Sequence, residues 1–309
     1  MWRHPSADFT ISNIRYFSRH KGEVNCCAFS HDCQILLTCS DDWSLHLWNA
    51  TSGQLLAKIR GHLGPVKSCV FSSDGKLFAS ASHDRSVRIW NTSTTECLHV
   101  LEGHRKSVET VCFSDDSRCL VSGSWDQTAV LWDVQSGRMF RMLLGHTGAV
   151  QSSAFSTDSQ YVATGSWDYT VRVWSLQNPD EVITLEGHRG NVSCVCFSLT
   201  GMLASGSWDG NVRVWTLKKR ACLFVLEGRG WVRSLSFSRD GLVLASAAEG
   251  EKVRIWDMED GKCIRHLKGH RDSAYGCVFT PSGALLSAGA AELSVEAEDL
   301  DGENSTDEI

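Results

Sequence analysis

Two residue registers run through this chain with one shared period. Counted from His20, a pair ending in His or Arg returns as Gly61-His62, Gly103-His104, Gly145-His146, Gly187-His188, Gly228-Arg229 and Gly269-His270, in steps of 42 or 41 residues. Tryptophan closes a second register at Trp48, Trp90, Trp132, Trp174, Trp215 and Trp256 with the same steps. A unit of some forty residues cannot bury its apolar face alone, so its copies must stack on one another. This restricts the possible folds more than any other property of the sequence.

Within a unit the period of the apolar residues is that of strands. Ser107 to Ser114 (SVETVCFS) is followed by a turn at DDSR, then CLVSGS, a turn around Trp125-Asp126, then TAVLWDV, QSG and RMFRMLL. Each run is short, rich in β-branched and aromatic residues, and bounded by Gly, Ser, Asp or Asn. Helical spacing is absent, and the whole chain holds only four prolines. Four strands per unit is the reading.

The bulk numbers limit the function classes. A chain of 309 residues with 42% hydrophobic and 21% charged residues suits a soluble globular protein. The start MWRHPSADFT lacks a signal-peptide core, and no apolar run is long enough to cross a membrane. The expected location is the cytosol or nucleus. The thirteen cysteines lie in apolar segments such as VNCCAFS and VSCVCFS, without Cys-x-x-Cys or His-x(3–5)-His spacing. They read as small buried hydrophobes, and neither a metal nor a cofactor is expected. The net charge of −6 is concentrated at the end: eight acids and no Lys or Arg follow from Glu292, which leaves 28 acids against 30 bases, or +2, elsewhere. A body charge that small offers no basic stripe for nucleic acid.

The Gly-His and Trp-Asp pairs at this spacing resemble the WD-repeat β-propeller family over Asp8 to Leu293. The resemblance implies an all-β, seven-bladed β-propeller of four-stranded antiparallel blades. Residues 1–7 would be an extension, 8–293 the propeller and 294–309 a disordered acidic tail. It also implies that the strand DFTISNIRYF, Asp8 to Phe17, completes the last blade and covers open sheet edges. That blade is degenerate in its third strand, where AELSVEAED puts Glu298 at the Trp position. The sixth unit departs too, with Arg229 for His and Gly250 for Asp.

By the same resemblance, His, Asp and Trp of each complete unit join a buried hydrogen-bond set with a serine. The sets are His20, Asp42 and Trp48; His62, Asp84 and Trp90; His104, Asp126 and Trp132; His146, Asp168 and Trp174; and His188, Asp209 and Trp215. In the third unit the serine is Ser122 or Ser124. Ser, His and Asp together also invite a hydrolase reading, but an enzyme needs one such constellation and here it appears five times. The structural role is favoured and no catalytic residue is expected.

The residue before each turn Asp falls, in the family, at the rim of a partner-binding face. Around the ring these are Asp41, His83, Trp125, Trp167, Trp208, Glu249 and Ala291. Three neighbouring units thus carry an indole, a residue type enriched at binding hot spots. The alternative is that each indole folds onto its neighbouring blade. A second ring position reads Asn25, Lys67, Glu109, Gln151, Ser193, Arg233 and Tyr275. Indoles beside a carboxylate suit a cationic guest, so the sequence suggests a non-catalytic scaffold, a monomeric propeller within a larger complex, binding basic peptides or proteins. Competing readings are a substrate-receptor or chromatin-complex subunit and, less favoured, an enzyme using the central channel. A solitary cluster outside the repeat register, which an enzyme needs, is not found.

Overall fold

The structure, a computed structural model, describes residues 13–17, 19–250, 253–267, 274–279, 285–289 and 294–298. Residues 1–7, the first part of the closing strand, His270, Ala291, the Tyr275 side chain and the chain beyond residue 298 lie outside the described residues.

Seven four-stranded antiparallel sheets make up the described chain, each built from consecutive strands except the one that joins the two ends. Blade 1 runs Val24–Phe29, Ile35–Ser40, Ser44–Asn49 and Leu55–Arg60, and blade 3 runs Val108–Phe113, Cys119–Ser124, Ala129–Asp133 and Arg138–Leu143. Short strands form because short hairpins close them locally. In the first turn of blade 3, Ser114 Oγ donates to Asp116 at 2.6 Å and accepts the Cys119 amide at 2.9 Å, while Ser117 takes the left-handed φ of 60° that the bend requires.

Burial follows the strand order. Second strands such as Leu77–Ser82 are buried over five of six positions, whereas the outermost strand Ala221–Glu227 alternates between exposed and covered residues. The middle strands are covered on both faces because each blade lies between two others. The core therefore sits between blades: Ala79, Ala81, Val87 and Ile89 of blade 2 pack with Val108, Phe113, Leu120 and Trp132 of blade 3. The glycine of Gly-His is fixed by this packing, since a Cβ on Gly103 would lie 3.1 Å from the Trp132 ring and one on Gly61 2.8 Å from the Trp90 ring.

The ends meet in blade 7, ordered Asn13–Tyr16, Ser294–Glu298, Leu285–Gly289, Ala274–Phe279. Phe17 then carries the closing strand into blade 1, its ring edge-on to Trp48 at 5.5 Å. Glu298 faces Leu285 as Trp90 faces Phe78, so it holds the Trp position as expected. The boundary placed at residue 293 is corrected: Ser294–Glu298 is the third strand of blade 7, paired on both sides. Its acidic composition suggested a tail, but a sheet needs backbone donors and acceptors there whatever the side chains are.

Candidate functional site

The repeated polar set is a single relay in all five complete units. In blade 3, Asp126 accepts His104 Nδ1 at 2.9 Å and the Arg105 amide at 2.8 Å on one oxygen, and the Thr128 amide and hydroxyl on the other. With Nδ1 turned to Asp126, His104 presents Nε2 to Ser122 Oγ at 2.8 Å. The Ser122 oxygen in turn accepts Trp132 Nε1–H at 2.8 Å. Every polar side-chain atom of this relay has a partner, as buried groups require.

The structure settles the hydroxyl as Ser122. Ser124 instead donates to the Ser107 carbonyl and receives the Asp126 amide. The expectation of serine in every unit is corrected in two: Thr38 and Thr164 take its place, joining His20 to Trp48 and His146 to Trp174. Either residue supplies the same Oγ. Ser80 and Ser205 serve in blades 2 and 5. All five hydroxyls are fully buried and already hold an indole N–H, so none faces a substrate as a nucleophile. Burial opposes ionisation of Asp126, yet the hydrogen bonds from His104 and Thr128 outweigh it and hold the carboxyl well below its usual range; Asp42, Asp84 and Asp168 behave alike.

Blade 6 loses both charged partners, with Arg229 exposed, yet keeps the last link, Trp256 Nε1 to Ser246 Oγ at 2.8 Å.

The two rim positions meet at one corner of each blade. The first strand of every blade is bulged between its first and third residues, as between Val108 and Thr110 or Val232 and Ser234. The residue skipped is the second ring position: Asn25, Lys67, Glu109, Gln151, Ser193, Arg233 or Tyr275. A bulge takes that residue out of the regular ladder register and re-aims its side chain. The first ring position is tied to the same corner, because its amide donates to the residue before the strand: Asp41 to Glu23, His83 to Pro65, Trp125 to Ser107, Trp167 to Ala149, Trp208 to Asn191 and Glu249 to Trp231.

The three indoles meet one another. Trp125 and Trp167 pack edge to face at 4.6 Å, and Trp167 and Trp208 are tilted at 5.4 Å. Trp208 then stacks on a fourth indole, Trp231, at 4.6 Å. Trp125 is 40% exposed, whereas Trp167 and Trp208 are half-buried with their Nε1 atoms covered and unpartnered. Each indole leans on the next, and the row is exposed at both ends, Trp125 at 40% and Trp231 at 44%. Trp231 was missed in the sequence; the signal was a tryptophan belonging to neither register.

Charges divide along the rim. Arg233 lies over Trp208 and Trp231, 5.6 and 5.5 Å from the ring centres, and its guanidinium bonds Glu249 at 2.5 Å. Lys67 Nζ and Asn25 Nδ2 both reach Asp41 Oδ1 at 2.7 Å. Ser193 turns its hydroxyl onto the Val232 carbonyl of the next blade. Glu109, next to Trp125, receives the Ser107 hydroxyl at 2.5 Å and has no cationic partner among the described residues. Gln151 is half-buried between the first two indoles' blades and His83 is exposed.

One expected set is extended by a further imidazole into a group with metal-ligand chemistry: the ligand atoms of His20, Asp42 and His46 lie within 4.8 Å of one another. The two imidazoles are stacked, 3.7 Å apart and 8° from parallel. A ring nitrogen's lone pair lies in the ring plane, so parallel stacked rings do not converge on one ion, and Asp42 is already filled by His20, Lys21 and Ser44. His46 occupies a column that elsewhere reads Arg88, Val130, Arg172, Arg213 and Arg254.

Seven four-stranded sheets, five of them tied by one relay, with a varied rim on bulged strands, define a β-propeller whose shared residues hold the disc together and whose unshared residues line its rim. The family described as WD domain, G-beta repeat matches residues 11–49, 53–91, 95–133, 137–175, 179–216, 220–257 and 261–295. The chain belongs to the WD-repeat family. Each matched segment after the first starts beside the outermost strand of one blade and ends in the third strand of the next. Among individual proteins, the chain is similar to WD repeat-containing protein 38 of Mus musculus, 51% identical over 51 residues, and of Homo sapiens, 50% identical over 55 residues. These matches cover 16% and 18% of this chain and 17% and 18% of the relatives. WD repeats mark the protein as an interaction scaffold in general.

Proposed function

We propose that this scaffold takes a basic segment of a partner protein at the blade 3 and blade 4 sector of the rim, with an Arg or Lys side chain over Trp125 and beside Glu109. The observation that carries the reading is the asymmetry of the indole row. At the Trp208 and Trp231 end the place for a cation is filled by Arg233 and backed by Glu249. At the other end Trp125 is equally exposed, and among the described residues no cation covers it or pairs with Glu109. Arg233 thus serves as an internal copy of the contact the guest would make, cation on indole with a carboxylate behind it.

Such a contact contributes about 0.5 to 2 kcal/mol, so it sets preference and the rest of the rim must add affinity. Proximity labelling with the native chain and with Trp125→Ala/Glu109→Gln tests the reading. Loss of a set of partners enriched in basic segments is expected. Retention of every partner would remove the site, while leaving the scaffold role to other rim residues.

A further inference from the structure

Seven of the thirteen cysteines lie on the innermost strands, and in blade 1 they come together. Cys26 and Cys39 are direct partners across the first two strands. The matching pairs elsewhere are Ser68 with Ala81, Thr110 with Gly123, Ser152 with Gly165, Cys194 with Gly206 and Ser234 with Ala247. The second member is small because the site is cramped: a Cβ on Gly206 would lie 2.6 Å from Cys194 Sγ, and one on Gly123 would lie 2.7 Å from Thr110 Cγ2. Blade 1 alone among these puts sulfur on both sides of that contact.

Cys69 of blade 2 completes the group. Its thiol reaches the Cys26 carbonyl at 3.7 Å and the Leu37 carbonyl at 3.9 Å, while the Cys26 thiol lies 3.7 Å from the Cys69 carbonyl. Cys26 is half-buried, whereas Cys39 and Cys69 are buried.

We propose that Cys26 and Cys39 are a peroxide-sensitive thiol couple, closing to a disulfide across the first two strands of blade 1. Opposed residues of antiparallel strands have Cα atoms about 4.5 to 5.5 Å apart, within the roughly 4.4 to 6.8 Å that disulfides span. Exposure sets the order of events, since Cys26 is the member a small oxidant meets. Hydrogen bonds from the Cys39 and Cys69 thiols outweigh burial and hold Cys26 well below the usual thiol range, while burial pushes Cys39 and Cys69 well above it. The thiolate is the nucleophile.

The oxidant is a hydroperoxide. The Cys26 thiolate attacks its terminal oxygen, the O–O bond breaks, and the peroxide remainder takes a proton and leaves as an alcohol, or as water from hydrogen peroxide. Cys26 is then a sulfenic acid. The Cys39 thiol loses its proton and attacks the Cys26 sulfur, expelling the oxygen as water. Two thiols and one hydroperoxide become one disulfide, one alcohol and one water. Cys39 rather than Cys69 resolves the intermediate, because it is the direct cross-strand partner of Cys26 whereas Cys69 belongs to the next blade.

The test uses the full chain and hydrogen peroxide. Thiols titrated in denaturant should fall by two, and chymotryptic peptides, cut after Phe29 and Leu37, should carry a Cys26–Cys39 bond. Cys39→Ala places in blade 1 the residue that blades 2 and 6 already use, so the fold tolerates it. In that variant Cys26 should remain a sulfenic acid that dimedone labels. Cys26→Ser, again a residue of other blades, should lose both the disulfide and the label. A bond between Cys26 and Cys69, oxidation confined to exposed Cys97, or a Cys39→Ala variant without dimedone labelling at Cys26 would each overturn the assignment.

Discussion

Trp231 lies parallel to Trp208, 8° between the ring planes, and Arg233 covers both. The blade 6 end of the indole row therefore carries a cation of the chain itself, while the blade 3 end, Trp125, carries none among the described residues. Mutating the row as a block would mix these two roles.

Separating them gives a first prediction. Trp125→Ala should lower the urea midpoint less than Trp208→Ala, since the Trp125 side chain is already 40% exposed and makes one aromatic contact. Trp208→Ala removes two aromatic contacts and a cation contact and should cost about 1 to 3 kcal/mol. Equal stability of the two variants would contradict the division.

Asp126 holds four donors. Asp126→Ala leaves them buried without an acceptor and should destabilise the fold by about 1 to 3 kcal/mol in urea or thermal unfolding. Removing His104 as well should cost less than the sum of the single changes, because the two side chains satisfy each other. An additive double variant would show that the relay is not a unit.

The stacked pair in blade 1 makes stability depend on pH. Burial first, and then the charge of His20, lower His46 from 6.5 to about 4. Its folded value is lowered, so its contribution is complete above pH 6.5 and is lost as the pH falls toward 4. His20 and His62 are lowered too, mainly by burial. Between pH 7 and pH 5 the His46 term alone is about 2 kcal/mol. His46→Val, copying Val130 of blade 3, should flatten that slope. Identical urea midpoints at pH 7 and pH 5 in the parent chain would refute it. The relay carboxylates act later: their folded values lie below 3.8, so their share persists above that pH and is lost beneath it.

Gly123 is required by a close approach. A Cβ there would lie 2.5 Å from Val150 Cγ1 and 2.7 Å from Thr110 Cγ2. Gly123→Ala should cost about 1 to 3 kcal/mol through overpacking between blades 3 and 4. A neutral effect on the melting temperature would mean that the interface yields.

Much of the disc was legible from residue order. The registers of His62 and Trp90 repeat because each blade must satisfy the same buried donors, and a requirement that recurs in space recurs in sequence. Glu298 at the Trp position and the loss of both Arg229 and Gly250 partners were readable for the same reason. Other features leave no periodic trace. The choice of Ser122 over Ser124 depends on which hydroxyl the second strand turns toward His104, and Thr38 does the work of serine because only the oxygen matters. The boundary drawn at residue 293 cut into the strand Ser294–Glu298 because its side chains are acidic, although backbone pairing is indifferent to them.

By itself, then, the sequence determined the number of blades, the closure of the ring by its own first strand and the residues of the polar relay, since all of these follow from one unit obeying one set of hydrogen bonds. Tertiary structure alone decided what happens between units. Trp231 reaching Trp208, Arg233 taking the cation's place on them, Lys67 pairing with Asp41 and Cys69 approaching Cys26 all depend on the distance and angle between neighbouring sheets. That geometry is set by how the blades wedge together, and no single unit encodes it.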